Sequence, residues 1–130
     1  MSNYVKSSKM AKILLIEDSK KLALALKPAL EGEGYEMFWA EDGIKGLEIA
    51  KKEIPNLILL DLMLPKVSGF EICKQLKQHE KTFKIPTVII STLNKEEDIA
   101  LAKQMGADKY IGKPYNLSEI LEEVKYLLCS

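Results

Sequence analysis

The sequence predicts an α/β domain in which a parallel β-sheet is covered by helices on both faces. Short apolar runs alternate with segments whose apolar residues recur every four positions. Clusters of glycine, proline and acidic residues separate these segments. Strands that are apolar along their whole length are typical of parallel sheets buried on both sides. A chain of 130 residues, 47% of them apolar, has the size of one such domain.

Five β-then-α units account for nearly the whole chain. The apolar runs predict strands over residues 12–16, 37–40, 57–60, 87–90 and 110–111. The helical stripes that follow comprise Leu22, Leu26 and Leu30, then Ile72 and Leu76, then Leu101 and Met105, and finally Ile120, Val124 and Leu128. Right-handed crossovers are expected between successive strands. Residues 1–10 are polar and predict a flexible N-terminal arm, so that the domain itself covers residues 11–130.

Composition narrows the classes of partner. Nineteen basic residues balance 19 acidic ones, and no dense basic stripe stands out, so we expect no direct binding of nucleic acid. No apolar run approaches the roughly 18 residues of a membrane span, and the first residues lack the apolar core of a signal peptide. Cys73 and Cys129 form no CxxC pair, which favours reduced thiols in a cytoplasmic protein.

Polar side chains follow four of the predicted strands at the point where each strand ends. They are Glu17 and Asp18 after the first strand, Asp61 after the third, Ser91 and Thr92 after the fourth, and Lys113 after the fifth. Because ligands of open α/β sheets bind beyond the carboxyl ends of the strands, we expect these groups to converge. Taken singly, each has an ordinary interpretation as a helix cap or a solvated loop residue.

The combination of these groups indicates a metal and phosphate site. Three carboxylates within a few Å repel one another, and Mg2+ prefers carboxylate, phosphate and water oxygens as ligands. Lys113 would add a mobile positive charge suited to a phosphate oxygen. Trp39, on the second strand, is interpreted as a partly buried packing residue.

From about residue 11 to residue 128 the sequence resembles a response-regulator receiver domain of two-component signalling, similar to the chemotaxis-type regulators. The resemblance rests on the acidic pair Glu17-Asp18, the Asp61-Leu62-Met63-Leu64-Pro65 segment followed by Gly69, Ser91, and residues 106–114 with Lys113-Pro114. It implies a doubly wound, flavodoxin-like sheet with strand order 2-1-3-4-5.

The resemblance also implies a role for each site residue. Asp61 would accept a phosphoryl group from a sensor histidine kinase, a phosphotransfer protein or a small acyl phosphate. Mg2+ would be held by Glu17, Asp18, Asp61 and the backbone carbonyl of Met63. Ser91 and Lys113 would bind phosphoryl oxygens, and the peptide bond before Pro114 is expected to be cis.

Signalling would follow from a movement of Ser91 toward the phosphate and a rotation of Tyr110. The resemblance places the readout face on the fourth helix, fifth strand and fifth helix, at residues 96–104, Tyr110 and residues 118–126. A downstream effector protein, or an output domain outside this chain, would read that face, which could also form a homodimer. No enzymatic activity is implied beyond the domain's own phosphorylation and dephosphorylation.

Two alternatives compete with this interpretation. An aspartate-nucleophile phosphatase of the haloacid dehalogenase type needs a second carboxylate two residues after the nucleophile, where this chain has Met63. A degenerate receiver that acts as a phosphate-independent interaction module would not need Glu17, Asp18, Asp61, Ser91 and Lys113 together. Met63 and Leu93, both apolar, are hypothesised to slow loss of the phosphoryl group.

Overall fold

The computed structural model describes residues 10–129, which form five strands and five helices. The strands are β1 (Lys12–Ile16), β2 (Glu36–Ala40), β3 (Leu57–Leu60), β4 (Thr87–Ser91) and β5 (Lys109–Gly112). The helices are α1 (Lys20–Gly32), α2 (Gly43–Glu53), α3 (Gly69–Gln78), α4 (Glu96–Gln104) and α5 (Leu117–Leu128). The predicted N-terminal arm, apart from Met10, lies outside the described residues.

All neighbouring strands are parallel, and their order is β2-β1-β3-β4-β5. Leu14 of β1 pairs with Phe38 of β2 on one side and with Ile58 of β3 on the other. The strand order therefore reverses between β1 and β3, which opens a crevice at their carboxyl ends. The predicted fold class and strand order are confirmed.

Alternating side chains of the sheet build two separate cores. Ile13 and Leu15 of β1 point into one core, which contains buried residues of α1 and α5. Leu14 and Ile16 point into the other, which contains buried residues of α2, α3 and α4. Because successive strand side chains face opposite sides, a strand between two helical layers must be apolar at every position. All four residues of β3 are accordingly buried.

Three strands extend beyond the apolar runs that predicted them. β2 begins at Glu36, β4 ends at Ser91, and β5 covers Lys109 to Gly112. Pairing of Ser91 with Gly112 defines the ends of β4 and β5. Backbone pairing and not side-chain polarity sets these limits.

Within residues 10–129, no helix is both long and apolar enough to cross a membrane.

Candidate functional site

The acidic pair lies at the carboxyl end of β1. Glu17 is buried, whereas Asp18 is exposed. The Glu17 N–H donates to the carbonyl of Ala40 at 3.0 Å, which continues the β1–β2 pairing one residue beyond the strand. Oε2 of Glu17 accepts from the N–H of Ser19 at 3.1 Å, and the Ser19 hydroxyl in turn accepts from the N–H of Leu22 as the N-cap of α1. The pair is thus held between a strand end and a helix start.

Asp61 follows β3 and is 5% exposed. Its N–H donates to the carbonyl of Ile16 at 3.0 Å, so the backbone of β1 fixes its position. Its Oδ1 accepts from the N–H of Met63 at 3.1 Å. Gly69 comes close to this turn, because a Cβ there would lie 2.2 Å from the Asp61 carbonyl oxygen. Only glycine fits at the start of α3 beside this backbone.

Three carboxylates come together at this edge of the sheet. One oxygen each of Glu17, Asp18 and Asp61 lies within 4.8 Å of the other two. An all-carboxylate donor set suits a hard divalent cation such as Mg2+, which takes oxygen ligands and retains several waters. The cluster therefore fits the metal that the sequence predicts.

Lys113 supplies a positive charge to the same cluster. Its Nζ lies 2.8 Å from Oε1 of Glu17 and 3.4 Å from Oδ2 of Asp61. Burial lowers the pKa of Lys113, but its hydrogen bond to Glu17 and the charge of Asp61 outweigh burial, and the pKa is raised above its ordinary value. The ammonium is therefore fully charged at neutral pH. The Lys113–Pro114 peptide bond is cis, as the resemblance predicts.

Ser91 and Tyr110 meet at the backbone of Leu93. Ser91 is fully buried at the end of β4, and its hydroxyl accepts from the N–H of Leu93 at 3.2 Å. The Tyr110 hydroxyl donates to the carbonyl of Leu93. Burial raises the pKa of Tyr110, so the phenol stays protonated at neutral pH. The carbonyl of Ser91 also accepts from the N–H of Lys113 at 2.8 Å, which joins this pair to the acidic cluster through backbone.

Four contacts at the site are not predicted by the sequence. The Trp39 indole N–H donates to the Glu17 carbonyl at 2.7 Å, in addition to the packing expected of this residue. The Thr92 hydroxyl donates to Sδ of Met63 at 3.4 Å. The N–H of Leu93 donates to the Ser91 hydroxyl, and the carbonyl of Leu93 accepts from the Tyr110 hydroxyl. Sequence carries no direct signal for such contacts, since each depends on how two loops or strand ends meet in space.

Comparison with known proteins gives a consistent result. Residues 13–125 match the family described as response regulator receiver domain. The DNA-binding dual master transcriptional regulator RpaA of Synechocystis sp. is 40% identical over 119 residues, which are 92% of this chain and 49% of that protein. The chain spans about half the length of the curated relatives it matches.

Solved structures agree with the sequence comparison. A CheY-like response regulator receiver domain from Methanospirillum hungatei is 29% identical, with a TM-score of 0.88 over 93% of this chain and 95% of that one. The Mn2+-bound form of response regulator Rcp1 is 30% identical, with a TM-score of 0.76 over 90% and 91% of the two chains. The strand order, the strand-end site and these matches together show that this chain belongs to the response regulator receiver domain family of two-component signalling.

Proposed function

We propose that this receiver domain is a phosphorylation-dependent switch in which Asp61 accepts a phosphoryl group from a phosphohistidine of a sensor histidine kinase or phosphotransfer protein. The observation that supports this most directly is the convergence of three carboxylates within 4.8 Å, with the Lys113 ammonium 2.8 Å from one and 3.4 Å from another. Few structural roles need so many charges at one crevice, and the burial of Glu17 and Asp61 carries a desolvation cost.

Mg2+ would be held by the carboxylates of Glu17, Asp18 and Asp61, with the backbone carbonyl of Met63 as a further ligand. The N–H of Met63 already donates to Asp61, which keeps this stretch of backbone beside the carboxylate. A bound Mg2+ supplies positive charge that neutralises the phosphoryl oxygens. The matched Rcp1 structure, described as Mn2+-bound, supports a divalent cation in this fold.

In the transfer step, a carboxylate oxygen of Asp61 forms a bond to phosphorus while the bond from phosphorus to the donor's imidazole nitrogen breaks. The electron pair of that broken bond stays on the nitrogen. Lys113, which now lies between Glu17 and Asp61, would pair with a phosphoryl oxygen, and the Ser91 hydroxyl would donate to another. Both groups bind charge that arrives with the phosphoryl group.

Leu93 offers a route from the site to the readout face, defined as residues 96–104, Tyr110 and residues 118–126. When the Ser91 hydroxyl turns to the phosphoryl group, the N–H of Leu93 loses its acceptor. A shift of this peptide would also move the carbonyl that accepts from Tyr110. The phosphoryl group can bias the face only through the difference in its interactions between the two states.

The readout face would contact an effector protein or an output domain beyond this chain. The relatives are about twice as long as the part they share with it, and RpaA is described as DNA-binding. We propose that this domain controls such an output and does not itself bind nucleic acid. A homodimer through the readout face is a further way to transmit the change.

Intact-mass measurement with acetyl phosphate tests the proposal. We expect one phosphoryl adduct on the wild type in the presence of Mg2+, and none without the metal or on Asp61→Asn. Asp98→Asn, which changes an aspartate on α4, should retain the adduct. If the wild type takes up no phosphoryl group under fast sampling, the domain acts as a phosphate-independent interaction module instead.

A further inference from the structure

Trp39 makes a contact that its packing role does not require. It lies on β2 opposite Leu15 of β1, and its ring packs half-buried against the core shared with α1 and α5. The indole has a single donor, and here that N–H donates to the carbonyl of Glu17 at 2.7 Å. A phenylalanine would fill much of the same space without this bond.

The bond completes a four-point attachment of Glu17. Its N–H donates to Ala40, its carbonyl accepts from Trp39, Oε1 meets Lys113, and Oε2 accepts from Ser19. β2 therefore holds both backbone groups of Glu17. The side-chain contacts depend on Lys113 and the start of α1, but the backbone contacts do not.

The Glu17 carbonyl belongs to the peptide plane that joins Glu17 to Asp18. Because a peptide is planar, fixing its carbonyl oxygen also fixes the direction in which the chain enters Asp18. Asp18 is exposed, and its carboxylate takes part in no ion pair with any other residue in the range 10–129. The direction of its side chain is therefore set mainly by the backbone that carries it.

We propose that Trp39 is a positioning residue of the acidic site, whose indole N–H holds the Glu17–Asp18 peptide so that both carboxylates face Asp61. The inference rests on the proposed function, because it assigns Trp39 a part in the affinity for Mg2+. Residues that orient metal ligands without touching the metal commonly contribute to affinity in this way. Trp39 acts through the backbone of Glu17 and does not itself meet the ion.

The chain contains one tryptophan, so an analogue incorporated in its place changes Trp39 alone. Benzothienylalanine has nearly the shape of tryptophan but carries sulfur in place of the indole N–H. We expect the dissociation constant for Mg2+, measured by calorimetry, to rise roughly three- to tenfold, the effect of losing one hydrogen bond that holds the ligands. The thermal midpoint in EDTA should change little, since the packing volume is kept.

A second measurement follows the indole N–H of Trp39 directly. The single indole N–H gives one signal in a 1H–15N NMR spectrum, and this signal should shift as Mg2+ is added to the wild type.

Phe38→Leu is the matched control that separates positioning from packing, because Phe38 neighbours Trp39 on β2 but packs against the opposite core. It should lower stability and leave the Mg2+ affinity within twofold of the wild type.

Unchanged Mg2+ affinity in the analogue protein would overturn the inference and leave the proposed function standing. An equal loss of affinity in Phe38→Leu would also overturn it, because strand packing would then explain the effect. A wild type that binds no Mg2+ at all would overturn both.

Discussion

At the scale of residues, the site is a small set of buried charges that compensate one another. The side chains of Lys113, Glu17 and Asp61 are 15%, 4% and 6% exposed, so each depends on the others in place of water. The sequence could predict these residues because each follows a predicted strand. It could not predict that Glu17 is buried and Asp18 exposed, or that the Ser91 hydroxyl bonds to Leu93, since the paths of the loops decide both.

Replacing Lys113 with methionine should destabilise the protein. Without the ammonium, Glu17 and Asp61 become buried carboxylates without a cation. We expect the free energy of unfolding in EDTA to fall by about 3–5 kcal/mol. Saturating Mg2+ should stabilise this variant more than the wild type, because the metal replaces the lost positive charge. Urea unfolding with and without Mg2+ measures both effects.

Lys109→Met is the matched control for that experiment. Lys109 pairs with Glu123 at 3.4 Å, and its side chain is 52% exposed. An exposed ion pair contributes about 0–1 kcal/mol. Equal losses in the two variants would contradict the role given to Lys113.

Met63→Asn should shorten the lifetime of the phosphorylated state. Met63 is 57% exposed beside Asp61, and its sulfur accepts from the Thr92 hydroxyl. An apolar side chain there cannot hold a water for attack on the acyl phosphate, whereas an amide can hydrogen-bond one. We expect loss of the phosphoryl group to become several-fold faster. Intact-mass measurements at intervals after the donor is removed would give the rate.

Thr92→Val removes the same hydroxyl-to-sulfur contact without adding a polar group at position 63. It should leave the lifetime nearly unchanged. If Met63→Asn also leaves it unchanged, the apolar character of this position does not control hydrolysis.

At the scale of elements, apolar runs and turn residues predict five β-then-α units, and apolar stripes mark four of the five helices. Helix α2 has no such stripe, because its buried residues are the small Gly43, Gly46 and Ala50. The predicted ends of β2, β4 and β5 are less accurate. Strand ends are set by backbone pairing, which polar residues such as Glu36 and Lys109 can also make. The junction between β3 and α3 shows a second limit. The sequence marks Gly69, but the close approach that requires glycine is visible only in three dimensions.

Gly69→Ala should therefore damage both stability and phosphorylation. The new Cβ would lie 2.2 Å from the Asp61 carbonyl oxygen and 2.5 Å from Cα of Leu62, and backbone atoms cannot rotate away. We expect the free energy of unfolding to fall by about 1–3 kcal/mol. The rate of phosphorylation by acetyl phosphate should fall as well, because the turn that carries Asp61 must move.

Gly32→Ala is the control, since a Cβ there meets nothing within 4 Å at the end of α1. It should be neutral or more stable by about 0.5–1 kcal/mol. The account of the β3–α3 junction fails if the two alanine variants behave alike.

At the scale of the whole molecule, the sheet brings together groups that are distant in sequence. The ion pair between Lys113 and Glu17 spans 96 positions. The fold class could be predicted because apolar strands alternate with helical segments along the chain, and the family could be predicted because its motifs at the strand ends occur in order in the sequence. The hydrogen-bonded link from Ser91 through Leu93 to Tyr110 could not be predicted, because it joins a buried strand end to an edge strand through a loop.

Stability should decline at alkaline pH because four buried or half-buried groups have a raised pKa in the folded protein. Burial raises the pKa of the Cys73 thiol from 9.0 to about 11, and burial also raises the pKa of Tyr110 and Tyr115. The pKa of Lys113 is raised by its carboxylate partners against the effect of burial. Each folded pKa exceeds the unfolded one, so each contribution is complete below the unfolded pKa and is lost as the pH rises through the folded value.

The decline should begin above about pH 9, the ordinary pKa of a thiol, and continue through the range of tyrosine and lysine. Urea unfolding from neutral pH to pH 11 measures it. Cys73→Ala should be less stable at neutral pH because of the cavity it leaves, but its stability should fall less steeply just above pH 9. If stability falls equally steeply with pH in this variant and in the wild type, the Cys73 thiol does not contribute to the decline.

Hydrogen–deuterium exchange of the phosphorylated protein tests the central claim most directly, with the phosphorylated fraction measured by intact mass in the same sample. The account predicts changed exchange at residues 91–93, in α4 and around Tyr110 after addition of acetyl phosphate and Mg2+. Asp61→Asn should show none of these changes. A protein that is fully phosphorylated yet changes only at residues directly around Asp61 would contradict the account, because the phosphoryl group would then not reach the readout face.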